Sequence, residues 1–190
     1  MWPFVRRNRL APVERLYDSI AAQARQPLLF ADYGVADTFE GRFELMALHL
    51  ALVLRRLAEL PAPADDVAQE LTDLSFKRLD QGLREIGVGD MGVPKRMKVL
   101  AKAFYGRAGV YHAVIGASDD AKLVEAKLVD AKLIEALRRN VFADGEGDVE
   151  ALSRRVHALV AHLATLDLDT MLAQGVDGAR TVETGQGGPG

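Results

Sequence analysis

The sequence predicts an all-α protein, a single compact bundle of about six helices with flexible N- and C-terminal tails. Apolar residues recur at three- and four-residue steps along most of the 190-residue chain, which is the spacing of one face of a helix. No segment shows the alternation of apolar and polar residues that is typical of a half-buried strand. Clusters of proline and glycine separate the periodic segments and indicate where helices end.

The composition is that of a single globular domain. The hydrophobic fraction is 49% and the charged fraction is 27%, both ordinary for a folded protein. A net charge of -3 gives no reason to expect binding to DNA. Because the chain has no cysteine, disulfides, thiolate catalysis and thiolate metal sites are excluded.

The predicted helices follow the periodic segments between the breaks. The second is apolar on every side, so we expect it at the centre of the bundle. Asp37 and Asp148 are the expected capping residues of two helices, and Pro94 is the expected first residue of another. The segments are 13–25, 37–60, 65–86, 94–115, a lysine-rich five-residue repeat at 121–135, and 148–166.

The domain boundaries follow from composition. Residues 1–9 form a basic N-terminal arm without the apolar core of a signal peptide, and Trp2 and Phe4 offer a possible contact with an anionic membrane surface. Residues 10–173 form the helical domain, and the Gly-rich tail at 174–190 is expected to be disordered. The longest apolar stretch, 45–54, is too short to span a bilayer, so we expect a soluble or membrane-peripheral protein.

The side chains of the sequence do not predict an enzyme. No two of the four histidines have the spacing of a His-Glu-x-x-His metal site. A Gly-x-Ser-x-Gly nucleophile motif is absent, and the many carboxylates are typical of solvated helix faces. We therefore expect no catalytic residues, no metal and no cofactor.

A glycine-rich segment at 87–92 (GVGDMG) matches the Gly-x-Gly-x-x-Gly pattern of dinucleotide sites. Such a site needs a strand before the glycines, whereas the residues that precede Gly87 are predicted to end a helix. An anion- or nucleotide-binding protein that uses this loop and the helix start at Pro94, beside Lys95 and Arg96, remains the alternative interpretation.

The same segment resembles a known family. Residues 80–98 (DQGLREIGVGDMGVPKRMK) and 103–107 (AFYGR) resemble the signature of the ubiquinol–cytochrome c chaperone family. Residues 138–142 (RRNVF) are similar to a later block of the family, and the resemblance extends from about Phe30 to about Leu172.

The resemblance implies a non-catalytic chaperone that binds newly made cytochrome b and assists biogenesis of complex III. It implies a cytoplasmic protein at the inner membrane face of a bacterium, with the membrane surface, a small assembly partner or the ribosome as further partners. Exposed loop and charged residues of the matching segment are the candidate binding surface. They are Arg84, Glu85, Gly87, Gly89, Asp90, Gly92, Pro94, Lys95, Arg96, Lys98, Lys102, Tyr105 and Arg107.

Overall fold

The computed structural model describes residues 10–116, 123–143 and 145–177. Within these ranges the chain forms eight helices and no strand, which confirms the all-α prediction. The helices are α1 (Leu10–Ala24), α2 (Pro27–Ala31), α3 (Phe39–Glu59), α4 (Ala64–Glu85), α5 (Val93–Gly116), α6 (Leu123–Asn140), α7 (Val149–Ala164) and α8 (Leu168–Gln174). The six longer helices correspond to the predicted segments, and the short helices α2 and α8 are additional.

Helix α3 lies at the centre of the bundle, as the sequence predicts, and packs against α1, α4, α5 and α7. Its N-terminal cap differs from the prediction. The hydroxyl of Thr38 accepts a hydrogen bond from the N–H of Gly41 at 3.1 Å and caps the helix. Asp37 lies one residue too early for this role, and its carboxylate pairs instead with Arg42 at 2.6 Å.

The core is made of apolar side chains from all eight helices, and leucine is the residue type that occurs most often in it. Burial of one such side chain stabilises the fold by about 1.5–3 kcal/mol relative to its exposure to water. Helix α6 packs against both α5 and α7, and α8 packs against α1. The largest fully buried side chains include Leu16 and Ile20 of α1, Leu45, Leu48 and Leu57 of α3, Leu71 and Leu83 of α4, Tyr111 and Ile115 of α5, and Leu133 and Leu137 of α6.

The packed chain continues beyond the predicted domain end at residue 173. Val176 is buried, and its N–H donates a hydrogen bond to the hydroxyl of Ser19 at 3.0 Å. The predicted arm at 1–9, the first two residues of the repeat and the tail from residue 178 lie outside the described residues. From Leu123 onward the repeat is helical, as predicted, and it belongs to α6.

In the described part of the chain, no single helix is both long and apolar enough to cross a bilayer. Among the described helices, only α7 and α8 together have the length and apolar composition of a membrane span, and the two helices are bent by 115° relative to each other.

Candidate functional site

The glycine-rich loop begins where α4 ends, and Gly87 explains that ending. Gly87 has a φ of 86°, a conformation that side chains disfavour, and follows the last turn of α4. The N–H of Gly87 donates to the carbonyl of Arg84, and the N–H of Val88 donates to the carbonyl of Leu83, both at 3.0 Å. This pair of bonds is a Schellman motif, which satisfies the last carbonyls of a helix.

The second half of the loop starts α5. The N–H groups of Gly92 and Val93 donate to the carbonyl of Gly89 at 2.7 and 3.2 Å. Helix α5 begins at Val93, so Pro94 is its second residue rather than the predicted first. Since α4 rather than a strand precedes the loop, the geometry of a dinucleotide site is absent here. Three of the loop's N–H groups and that of Val93 already have backbone partners.

Two of the predicted binding residues fix the loop to α4. The guanidinium of Arg84 donates to Asp80 at 2.8 Å and also bonds Asp90 in the loop. The hydrogen bond to Asp80 is the main cause that raises the pKa of Arg84. Glu85 accepts a hydrogen bond from the side chain of Gln81 at 2.9 Å. Arg84 and Asp90 therefore hold the loop in place while remaining at the surface.

Both arginines of α5 form ion pairs with carboxylates of α3. Arg96 donates to Glu40 at 3.3 Å, and its guanidinium lies 5.4 Å from the ring centroid of Phe39. Arg107 bonds the carboxylate of Glu44, whose side chain is only 9% exposed. Arg107, which was predicted as part of the exposed polar surface, is therefore only partly exposed, because its guanidinium is engaged in this ion pair.

The remaining predicted residues of α5 are exposed. Lys95, Lys98 and Lys102 face solvent, and Tyr105 is 60% exposed. The ring of Tyr105 packs against an edge-to-face pair, with centroid distances of 6.0 Å to Phe76 and 5.3 Å to Phe104.

A groove of about 460 Å³, which the sequence does not predict, opens between α1, α3, α4 and α5. Its edge reaches the predicted surface, because Glu85 and Ile86 line the groove directly before Gly87. The signal for this groove is the spacing of Phe39, Phe43, Met46 and Leu50 along α3, which in the sequence alone does not differ from the spacing of core residues. The large apolar lining residues are Phe39, Phe43, Met46, Leu50, Phe76, Leu79, Ile86 and Phe104.

The rim of the groove carries charge, with basic groups in excess. Three arginines, Arg25, Arg42 and Arg78, line it beside two carboxylates, Asp37 and Glu85. Arg42 bonds Asp37 at 2.6 Å, and this hydrogen bond lowers the pKa of Asp37. An apolar floor with a charged rim suits the helix-in-groove mode of polypeptide recognition.

The fold and the groove define a class of protein, an all-helical one with an open apolar groove bordered by charged residues. In the described parts of the chain no cluster of histidines and carboxylates is suited to hold a metal ion.

Comparison with known proteins identifies the family. The chain matches the family described as ubiquinol-cytochrome C chaperone over residues 31–178. It is also similar to the crystal structure of the Cbp3 homolog from Brucella abortus, with 37% sequence identity, coverage of 88% of each chain and a TM-score of 0.74. A comparison with curated proteins gave no match. The chain therefore belongs to the ubiquinol–cytochrome c chaperone family, whose members assist assembly of complex III.

Proposed function

We propose that this protein is a non-catalytic assembly chaperone that binds newly made cytochrome b and thereby assists biogenesis of ubiquinol–cytochrome c reductase. The observation that carries the proposal is the apolar groove between α1, α3, α4 and α5, with a volume of about 460 Å³. A chaperone for a membrane protein must shield apolar segments of its client from water until they are inserted. An open groove with an aromatic and methionine lining offers such a surface.

The groove is suited to one face of an apolar helix. Phe39, Phe43 and Met46 lie at helical spacing along α3 and are only partly buried, so they remain available to a partner. Ile86 is 58% exposed at the edge of the groove. Burial of such groups contributes about 25 cal/mol for each Å² of apolar surface removed from water.

The predicted surface residues complete the proposed site at the edge of the groove. Glu85 lines the groove, and the ring of Tyr105 contacts Phe76 and Phe104 of its lining. The loop from Gly87 to Gly92, held by Arg84 and Asp90, would contact polar residues that flank the bound segment. In this proposal the protein acts in the bacterial cytoplasm at the inner membrane surface, with a small assembly partner or the ribosome as further partners.

The test compares two variants that introduce the same charge at equal exposure. Ile86→Asp places a carboxylate at the edge of the groove, and Leu10→Asp places one at the start of α1, where the replaced side chain is also 58% exposed. Tagged proteins are purified from detergent extracts of cells that synthesise cytochrome b, and the captured cytochrome b is quantified by immunoblot. We expect about tenfold less cytochrome b with Ile86→Asp, since a loss of about 1.4 kcal/mol weakens binding tenfold.

The Leu10→Asp variant should capture as much cytochrome b as the unmodified protein. Equal capture by the Ile86→Asp variant, with unchanged melting temperatures, would show that the groove does not hold the client. Absence of cytochrome b from every sample, including the unmodified protein, would contradict the proposed client itself.

A further inference from the structure

Helix α5 has an unusual charge distribution. Its 24 residues, Val93–Gly116, include five lysines and arginines and no aspartate or glutamate. The carboxylates that balance Arg96 and Arg107 come from α3, namely Glu40 and Glu44. The positive charge on the remaining face of α5 has no such compensation from α3.

Three lysines occupy that remaining face. Lys95, Lys98 and Lys102 are exposed, and none forms an ion pair with a described residue. At 3.6 residues per turn they lie within about 60° of one another around the helix axis and extend over about 10 Å along it. They form a compact basic strip on a protein whose net charge is -3.

Apolar side chains lie next to these lysines. Val99 lies at the edge of the strip, about 40° from Lys95 and about 60° from Lys102 around the axis of α5, and is 62% exposed. Met91, in the loop directly before α5, is 97% exposed. A surface that combines lysines with exposed aliphatic groups is typical of a helix lying in the interface of an anionic membrane.

We propose that the outer face of α5, formed by Met91, Lys95, Lys98, Val99 and Lys102, docks on an anionic phospholipid surface. The lysine ammonium groups contact lipid headgroups, and Val99 and Met91 enter the boundary between headgroups and acyl chains. RNA is the less suitable partner, because both arginines of α5 are engaged with α3 and the exposed aromatic ring nearest the lysines, that of Tyr105, packs against Phe76 and Phe104.

This inference rests on the membrane-peripheral location in the proposed function and adds the surface responsible. It also relates the membrane to the groove. Tyr105, three residues beyond Lys102, contacts Phe76 and Phe104, which line the groove. Docking through α5 therefore brings one wall of the groove close to the bilayer, where an apolar client segment arrives or departs.

The test is co-sedimentation of the full-length protein with vesicles of phosphatidylcholine, with or without about 30% phosphatidylglycerol, at low salt. The test variant is Lys95→Gln/Lys98→Gln/Lys102→Gln. The control, Lys132→Gln/Arg139→Gln/Arg154→Gln, removes three exposed charges from α6 and α7. Each lysine near an anionic surface contributes about fivefold to binding, so we expect the test variant to bind on the order of 100-fold more weakly.

The control variant should keep most of the binding, and about 0.5 M salt should weaken binding of the unmodified protein. The variant Val99→Ser should bind anionic vesicles several-fold more weakly without any change in charge. Unchanged binding of the triple-lysine variant would overturn the proposal and assign membrane binding to another segment, such as residues 1–9. Absence of vesicle binding by the unmodified protein would overturn it as well.

Two further measurements separate the possible explanations. Loss of binding to a single-stranded RNA oligonucleotide in the triple-lysine variant, with vesicle binding intact, would identify the strip as an RNA surface and overturn the proposal. The Ile86→Asp variant should bind vesicles normally, so a defect in client capture and a defect in membrane docking are distinguishable.

Discussion

Arg107 of α5 donates a hydrogen bond from Nε to the buried carboxylate of Glu44 in α3. Burial raises the pKa of Glu44, and the bond to Arg107 opposes part of that effect. This ion pair joins the central helix to the helix that carries the lysine strip. Its partners lie 63 residues apart in sequence.

The variant Arg107→Met should be strongly destabilised, because it leaves the carboxylate of Glu44 buried without its cation. We expect the free energy of unfolding at pH 7 to fall by on the order of 3 kcal/mol in urea titrations. The double variant Glu44→Gln/Arg107→Met should recover most of the loss, since no buried charge remains.

The pH dependence provides a second control for this pair. Because the pKa of Glu44 is raised in the folded protein, the carboxyl binds its proton more tightly there than in the unfolded chain. The stabilisation that protonated Glu44 provides is therefore complete below its ordinary pKa of 4.5 and is lost as the pH rises through the raised pKa of the folded protein. The defect of Arg107→Met should shrink toward acidic pH, and a defect independent of pH would contradict an uncompensated Glu44 carboxylate.

The buried side chain of His49 should give the free energy of unfolding a pH dependence of the opposite sign. Burial in α3 lowers the pKa of His49 to about 4, although its Nδ1 lies 2.7 Å from the carbonyl oxygen of Leu45. The unfolded chain therefore takes up a proton at higher pH than the folded protein does. The stability that depends on neutral His49 is complete above pH 6.5 and is lost as the pH falls toward 4.

Urea titrations between those pH values should show this loss as on the order of 3 kcal/mol in the unmodified protein. The variant His49→Leu should lack that part of the pH dependence. Carboxylates titrate in both proteins, so the difference between the two curves is the relevant quantity. Parallel curves would mean that His49 is accessible to protons in the folded state.

At the N-terminus of α3, the neighbouring residues Thr38 and Asp37 should contribute differently to stability. Thr38→Ala removes the acceptor of the Gly41 N–H and should reduce the free energy of unfolding by about 1 kcal/mol. Asp37→Ala removes an ion pair with Arg42 whose side chains are both more than half exposed, and should leave the melting temperature almost unchanged. A larger effect of Asp37→Ala than of Thr38→Ala would restore the capping role that the sequence pattern predicted for Asp37.

Most of the helices could be predicted because local signals define them. Apolar residues at helical spacing mark the longer helices, and breaks such as Pro61 and Gly87 separate them. The central position of α3 follows from its apolar character on all sides. The helices α2 and α8 were missed because segments of five and seven residues are too short to show a helical period.

The candidate site was harder to predict because it depends on contacts between distant segments. The residues Phe39, Phe43 and Met46 look like core residues in the sequence, and only the arrangement of α1, α4 and α5 around them leaves a groove. In the sequence, nothing distinguishes the three lysines of α5 from its two arginines. The fold distinguishes them, because Glu40 and Glu44 of α3 form ion pairs with the arginines and the lysines remain exposed to solvent.

The central claim is tested most directly by a reduced-minus-oxidised haem spectrum of membranes from cells that lack this gene. The account predicts a selective loss of the b-type haem signal, restored by the unmodified gene and by Leu10→Asp but restored poorly by Ile86→Asp. A normal b-type haem signal together with normal complex III activity in the deletion strain would contradict the role in cytochrome b assembly.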